Sequence, residues 1–262
     1  MQRIGIIGGG NMGEAIIAGS FKKYFIRVSE QDIVRQKYLK KSYQLHCDDL
    51  RTLAKSSEVI ILAVKPQDIE GVLKELKNYL TKDKLVISIA AGITTAYIEG
   101  LLGGKIRVIR TMPNLPAVIG QATTVICKGR LATQSDVGLA VKIFNNIGKT
   151  FLLNEDLIDV VTAVSGSGPA YVFLFMEYLI EAAKSLGLNE GLAGTIVKNT
   201  FLGSINLLIQ RNENPALLRA KVTSKGGTTQ AALDVFYRNK LKQIFLKALR
   251  AAKQRAQQLS RV

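Results

Sequence analysis

Arg3-Ile4-Gly5-Ile6-Ile7-Gly8-Gly9-Gly10-Asn11-Met12-Gly13 decides the fold of this 262-residue chain. Ile4, Ile6 and Ile7 give a short β-branched run, the composition of a strand. Gly8, Gly10 and Gly13 then match the spacing G-x-G-x-x-G, and a helical pattern starts near Asn11. Between a strand and a helix, the first glycine permits a tight turn, the second lets a ligand approach the backbone, and the third packs the helix onto the sheet. The helix start aims unpaired N–H groups and a positive dipole end outward, so the stretch reads as a cradle for the pyrophosphate of a dinucleotide.

Working outward, Phe25 to Glu30, Glu58 to Val64, Lys84 to Ala90 and Lys105 to Met112 read as further strands, with amphipathic segments between them. Val59 to Val64 is apolar without alternation, as expected of a strand buried on both faces of a parallel sheet. A strand over Ala122 to Cys127, a helix from about Thr133 to Asn146 and a strand over Lys149 to Leu153 complete a doubly wound α/β (Rossmann) domain, residues 1–154. From Glu155 onward only helical periodicity is found, punctuated at Gly187-Leu188-Asn189 and Asn212 to Pro215, giving an all-helical domain over 155–262. Its helix after Pro169 is apolar nearly all round (Ala170 to Met176) and must be buried; the helical domain could enclose it alone, but burial between two copies is the more natural solution and predicts a homodimer or higher homo-oligomer.

Composition narrows the function. A hydrophobic share of 47% and a charged share of 21% describe a globular chain. The N-terminus enters the glycine turn without a secretory pattern, and the apolar run at Ala170 ends at Glu177, so neither export nor a membrane span is expected, and a cytoplasmic setting is. Cys47 and Cys127 are not a close pair and suit reduced thiols. With the single histidine, His46, more apt to end a strand than to catalyse, no metal is expected. The net charge of +16 raises nucleic acid as a partner. It is spread over both halves and equally suits anionic small molecules, so no nucleic acid is expected. The basic face of the last helix, Asn239 to about Leu259, reads as a solvated surface.

Glu30 stands at the end of the second strand, about 20 residues after Gly10, where a carboxylate accepts hydrogen bonds from the adenine-side ribose. This leans towards NADH; Ser29, Arg35 and Lys37 could hold a 2′-phosphate if Glu30 turned away, so the cofactor is NADPH or NADH. Ala63-Val64-Lys65-Pro66 and Ser88-Ile89-Ala90-Ala91-Gly92 follow strand ends, where ligands of such sheets bind. Late in the chain, Val222-Thr223-Ser224-Lys225-Gly226-Gly227-Thr228-Thr229 places two glycines before a helix start, a cradle for a carboxylate, or a Thr-capped helix start without a ligand.

Ile7-Gly8-Gly9-Gly10-Asn11-Met12, Ala63 to Pro66, Ala90-Ala91-Gly92, Met112-Pro113-Asn114, Ser165 to Ala170 and Val222 to Thr229 resemble, in order and spacing, pyrroline-5-carboxylate reductase over essentially the whole chain. The resemblance implies cofactor contacts from the first three motifs and a cyclic imino acid as substrate. It further implies Ser224 with the N–H groups of Gly227 and Thr228 for the carboxylate, and the Thr229 hydroxyl, the candidate catalytic group, for the ring nitrogen. Lys225 stands where the family often has proline, which makes the loop looser or adds a positive charge there. Nicotinamide is expected near Val64, Lys65 and Ala90, with the substrate between it and Ser224 to Thr229. The fold admits two rivals. A β-hydroxyacid or carbonyl dehydrogenase would need an acid/base such as Lys184 or Lys198, which stand in no recognised motif; a nucleotide-binding regulator without turnover is left open by Lys225 and Glu30.

Overall fold

The computed structural model describes residues 1–259. Among them, β1 (Arg3–Ile7), β2 (Phe25–Ser29), β3 (His46–Cys47), β4 (Val59–Leu62), β5 (Leu85–Ser88), β6 (Arg107–Met112), β7 (Ala122–Lys128) and β8 (Gly148–Leu152) form one sheet ordered β3-β2-β1-β4-β5-β6-β7-β8. The crossovers carry α1 (Asn11–Ser20), α2 (Ile33–Tyr43), α3 (Leu50–Ser56), α4 (Ile69–Leu76), α5 (Thr95–Leu101) and α6 (Gln134–Phe144). The chain winds to one side of β1 and returns on the other. The crevice at the carboxyl ends of β1 and β4 is therefore the topological switch point, where such sheets bind ligands.

The sheet is held by residues that alternate between two cores. Val59 and Ile61 of β4 join Ile4, Ile6 and Ile87 on one face, while Ile60 and Leu62 join Ile7, Val86 and Val108 on the other. Each such side chain contributes about 1.5–3 kcal/mol by burial. Side-chain caps set the starts of α2, α3 and α6: Asp32 accepts from the N–H groups of Val34 and Arg35, Asp49 from that of Thr52, and Thr133 forms a capping box with Asp136.

Two strands depart from the parallel sheet expected from sequence: β7, and β8 paired parallel to it, run against the other six. β7 runs antiparallel to β6, with Thr111 opposite Ile126. Only residues 113–121 connect them, as a 3-10 turn over Leu115–Ile119 closed by Gly120 at φ 72°. That is too short for a helical crossover, so the chain must reverse.

After β8 come α7 (Ile158–Val161), one π turn (Thr162–Gly166), α8 (Gly168–Ser185), α9 (Glu190–Arg211), α10 (Pro215–Lys221), α11 (Thr228–Arg238) and α12 (Leu241–Leu259). Contacts divide the chain into two compact units, one of Met1–Pro169 with the end of the chain from Ala251, the other of Ala170–Arg250. Residues just after β8 stay with the sheet because Glu155 accepts hydrogen bonds from the Thr95 N–H at 2.8 Å and hydroxyl at 2.5 Å, and pairs at 3.0 Å with buried Arg110.

The helical unit keeps little of its apolar surface within one chain. α8 has no buried residue, and Phe173 is 56% exposed. The sequence expects this helix to be buried, and a single copy does not bury it. Phe175 stacks on Phe245 at 5.5 Å between ring centres, yet both remain exposed.

Candidate active site

At the carboxyl ends of β1, β2 and β4 lies a cavity of about 580 Å³. Of the residues singled out from sequence, Ile7, Gly8, Gly10, Ser29, Glu30, Ala63, Val64 and Lys65 line it. The glycines are required by contact. At Gly8 (φ 97°) a Cβ would lie 2.6 Å from the carbonyl oxygen of Ala63, and at Gly13 it would lie 2.1 Å from that of Gly8. At Gly10 nothing stands within 4 Å, so the backbone there faces open space on the cavity wall.

Gly10 is also the N-cap of α1 and offers no side chain to its first N–H groups. Asn11 and Met12 begin that helix, and their backbone is the anion-facing end. Space, unpaired donors and dipole all fit a pyrophosphate, so these residues fit a dinucleotide.

Gly9 is clamped. Its N–H donates to Glu30 Oε2 at 2.6 Å and its carbonyl accepts from Arg35 Nε at 2.6 Å. Arg35 also pairs with Glu14, whose carboxylate accepts from the hydroxyls of Tyr38 and Tyr43 at 2.8 and 2.9 Å. Arg35 is thus spent on the loop and is absent from the cavity lining, unlike the phosphate ligand that the sequence offers. This network was illegible in sequence, since its members stand 21 to 29 residues apart.

Pro66 opens a 3-10 turn after β4. Ile89, Ala90 and Ala91 follow β5 but do not line this cavity; the Ala90 N–H donates to Ser88 Oγ at 3.2 Å, ahead of Gly92 at φ 78°.

In the helical unit, the loop after α10 turns through Gly226 at φ 72° into α11, with Gly227 as an N-cap lacking a side chain. The Gly227 N–H, offered to a carboxylate on the sequence reading, donates to the Ser224 carbonyl at 3.0 Å and closes the turn. The Gly226 N–H donates to Gln230 Oε1 at 2.7 Å, a partner that sequence reasoning missed although it stands only four residues on. Thr228 and Thr229 form the first turn of α11, whose N–H groups face outward. The Ser224 hydroxyl lies against Gly227, where a Cβ would meet it at 2.4 Å; Lys225 is exposed.

Among the described residues, no three His, Cys, Asp or Glu side chains gather closely enough to hold a metal ion. The Cys127 thiol is pushed up to about 11 by burial and by Glu155, which makes it inert.

Comparison with known proteins gives the same outline. Residues 155–259 match the family described as pyrroline-5-carboxylate reductase dimerisation, and residues 3–92 that described as NADP oxidoreductase coenzyme F420-dependent. Two helical stretches long and apolar enough to cross a membrane, Glu155–Ser185 and Glu190–Arg211, fall within the dimerisation match. A pyrroline-5-carboxylate reductase of a Synechocystis strain is 38% identical, covering 99% of this chain and 98% of its own. A solved structure of that name from Coxiella burnetii superposes with a TM-score of 0.90 at 38% identity, over 98% of both chains. The Plasmodium falciparum enzyme, solved with NADP bound, gives 0.89 at 29% identity over 99% of this chain and 98% of its own. The chain belongs to the pyrroline-5-carboxylate reductase family.

Proposed function

We propose that this chain reduces the C=N bond of 1-pyrroline-5-carboxylate to L-proline with NAD(P)H, the last step of proline biosynthesis. The observation that carries the reading is the match to a reductase of that name over 99% of the chain, which takes in both the glycine cradle and the Ser224 to Thr229 loop.

The bound dihydronicotinamide supplies the hydride; the protein supplies position and one hydrogen bond. Residues 1–154 hold the cofactor, and residues 155–262 hold the substrate and form a homo-oligomer that covers α8. The cradle from Ile7 to Met12 takes the pyrophosphate on the α1 N-terminus, Ser29 and Glu30 take the ribose, and Ala63 to Pro66 with Ile89 to Ala91 flank the nicotinamide half. Gly226 and Gly227 shape the loop so that the Ser224 hydroxyl and the first-turn N–H groups of Thr228 and Thr229 receive the substrate carboxylate. The Thr229 hydroxyl orients the ring nitrogen and, for an imine that enters unprotonated, relays to it a proton from water. An imine nitrogen is basic enough to enter protonated, so no histidine is needed. The working site is cytoplasmic, with neither membrane nor nucleic acid as partner.

The test is to follow the absorbance of NADH and NADPH with the purified chain. Oxidation dependent on pyrroline-5-carboxylate is expected with at least one of them; cofactor binding without such oxidation would mark a regulator, and oxidation driven only by carbonyl acids would mark a dehydrogenase.

A further inference from the structure

NADH and NADPH differ by one group, a phosphate of charge about −2 on the ribose next to adenine. A site that accepts it supplies cations at the end of β2, and one that refuses it puts a carboxylate there. Glu30 lies one residue past β2, on the cavity wall. It is fixed in place: Oε2 accepts from the Gly9 N–H at 2.6 Å, and Oε1 accepts from those of Gln31 and Asp32 at 2.7 and 2.9 Å. Gln36 further ties down the Glu30 carbonyl at 2.6 Å. Turning the carboxylate away would strand three backbone donors.

With two acceptor positions per oxygen, Oε1 is filled and Oε2 keeps one. A ribose hydroxyl donates to it, whereas a phosphate has no proton to give and carries like charge. Arg35, a cation that the sequence offers to a 2′-phosphate, is held by the Gly9 carbonyl and the Glu14 carboxylate, with its guanidinium 5.0 Å from the Tyr38 ring centre. Among the described residues, Lys65 is the one cation lining the cavity, against Glu30, Asp68 and Glu75.

We propose that the cavity selects NADH over NADPH through Glu30, held in the rejecting position by the backbone of the glycine loop. The inference rests on the reading of the chain as a nicotinamide-dependent reductase and names the cofactor that this site prefers.

The test is binding to the full-length protein without imine, followed by dihydronicotinamide fluorescence. NADH is expected to bind about tenfold or more tightly than NADPH. Glu30→Gln, which keeps an acceptor for the Gly9 N–H and drops the charge, should close most of that gap through a gain for NADPH. The unaltered protein gives a second measurement: adenosine 2′,5′-bisphosphate should displace NADH about tenfold less well than 5′-AMP. Equal or tighter NADPH binding, equal displacement by the two fragments, or an unchanged ratio in folded Glu30→Gln would overturn the selectivity alone. Failure of both dinucleotides to bind would overturn the reductase reading with it.

Discussion

Thr229 stands second in α11, a half-buried residue whose backbone N–H belongs to the helix's first turn. A group that orients or protonates the imine nitrogen acts mainly on the chemical step. Thr229→Ala should therefore lower kcat by about ten- to a thousandfold while leaving NADH binding unchanged, and Thr229→Ser should restore most of the rate. Steady-state constants unaltered in Thr229→Ala would remove the role. At this scale the sequence is legible where chemistry is local. The glycine spacing could be read directly, because its need arises within one turn, and Glu30 from its place at the end of the second strand. The commitments of Arg35 and Gly227 could not, because each depends on which acceptor the folded backbone brings near.

Among the elements, the packing of α1 against α2 turns on Glu14. Burial raises its carboxyl, but the hydrogen bonds from Tyr38, Tyr43 and Arg35 outweigh that and hold it below the ordinary 4.5. Tyr43 answers by being pushed up to about 12, through burial and the same carboxylate. A carboxyl lowered in the native state stabilises the fold above its unfolded value, and that contribution is lost as pH falls through the native value. The melting temperature should thus fall more steeply below pH 4.5 in the parent protein than in Glu14→Gln; superimposable acid limbs would refute the linkage. Strand positions were readable from β-branched runs, since burial on two faces leaves no polar alternation. Strand direction was not: Ala122 to Lys128 has the same composition whichever way it runs, and the short link through Gly120 decides it.

For the molecule as a whole, the shift from alternating strands and helices to helices alone separates a Rossmann domain from a helical stretch that matches the family's dimerisation domain. A charge of +16 suits anionic ligands without naming one. The apolar run Ala170 to Met176 of α8 could be read from sequence as a demand for burial, but a single chain leaves that demand unmet. The central claim is hydride delivery to a cyclic imine, and isotope transfer tests it most directly. With pyrroline-5-carboxylate and the preferred cofactor dideuterated at C4 of its nicotinamide, mass spectrometry should find proline carrying one deuterium, on the ring CH2 next to nitrogen. Proline without deuterium, or no proline while the cofactor remains bound, would contradict the account.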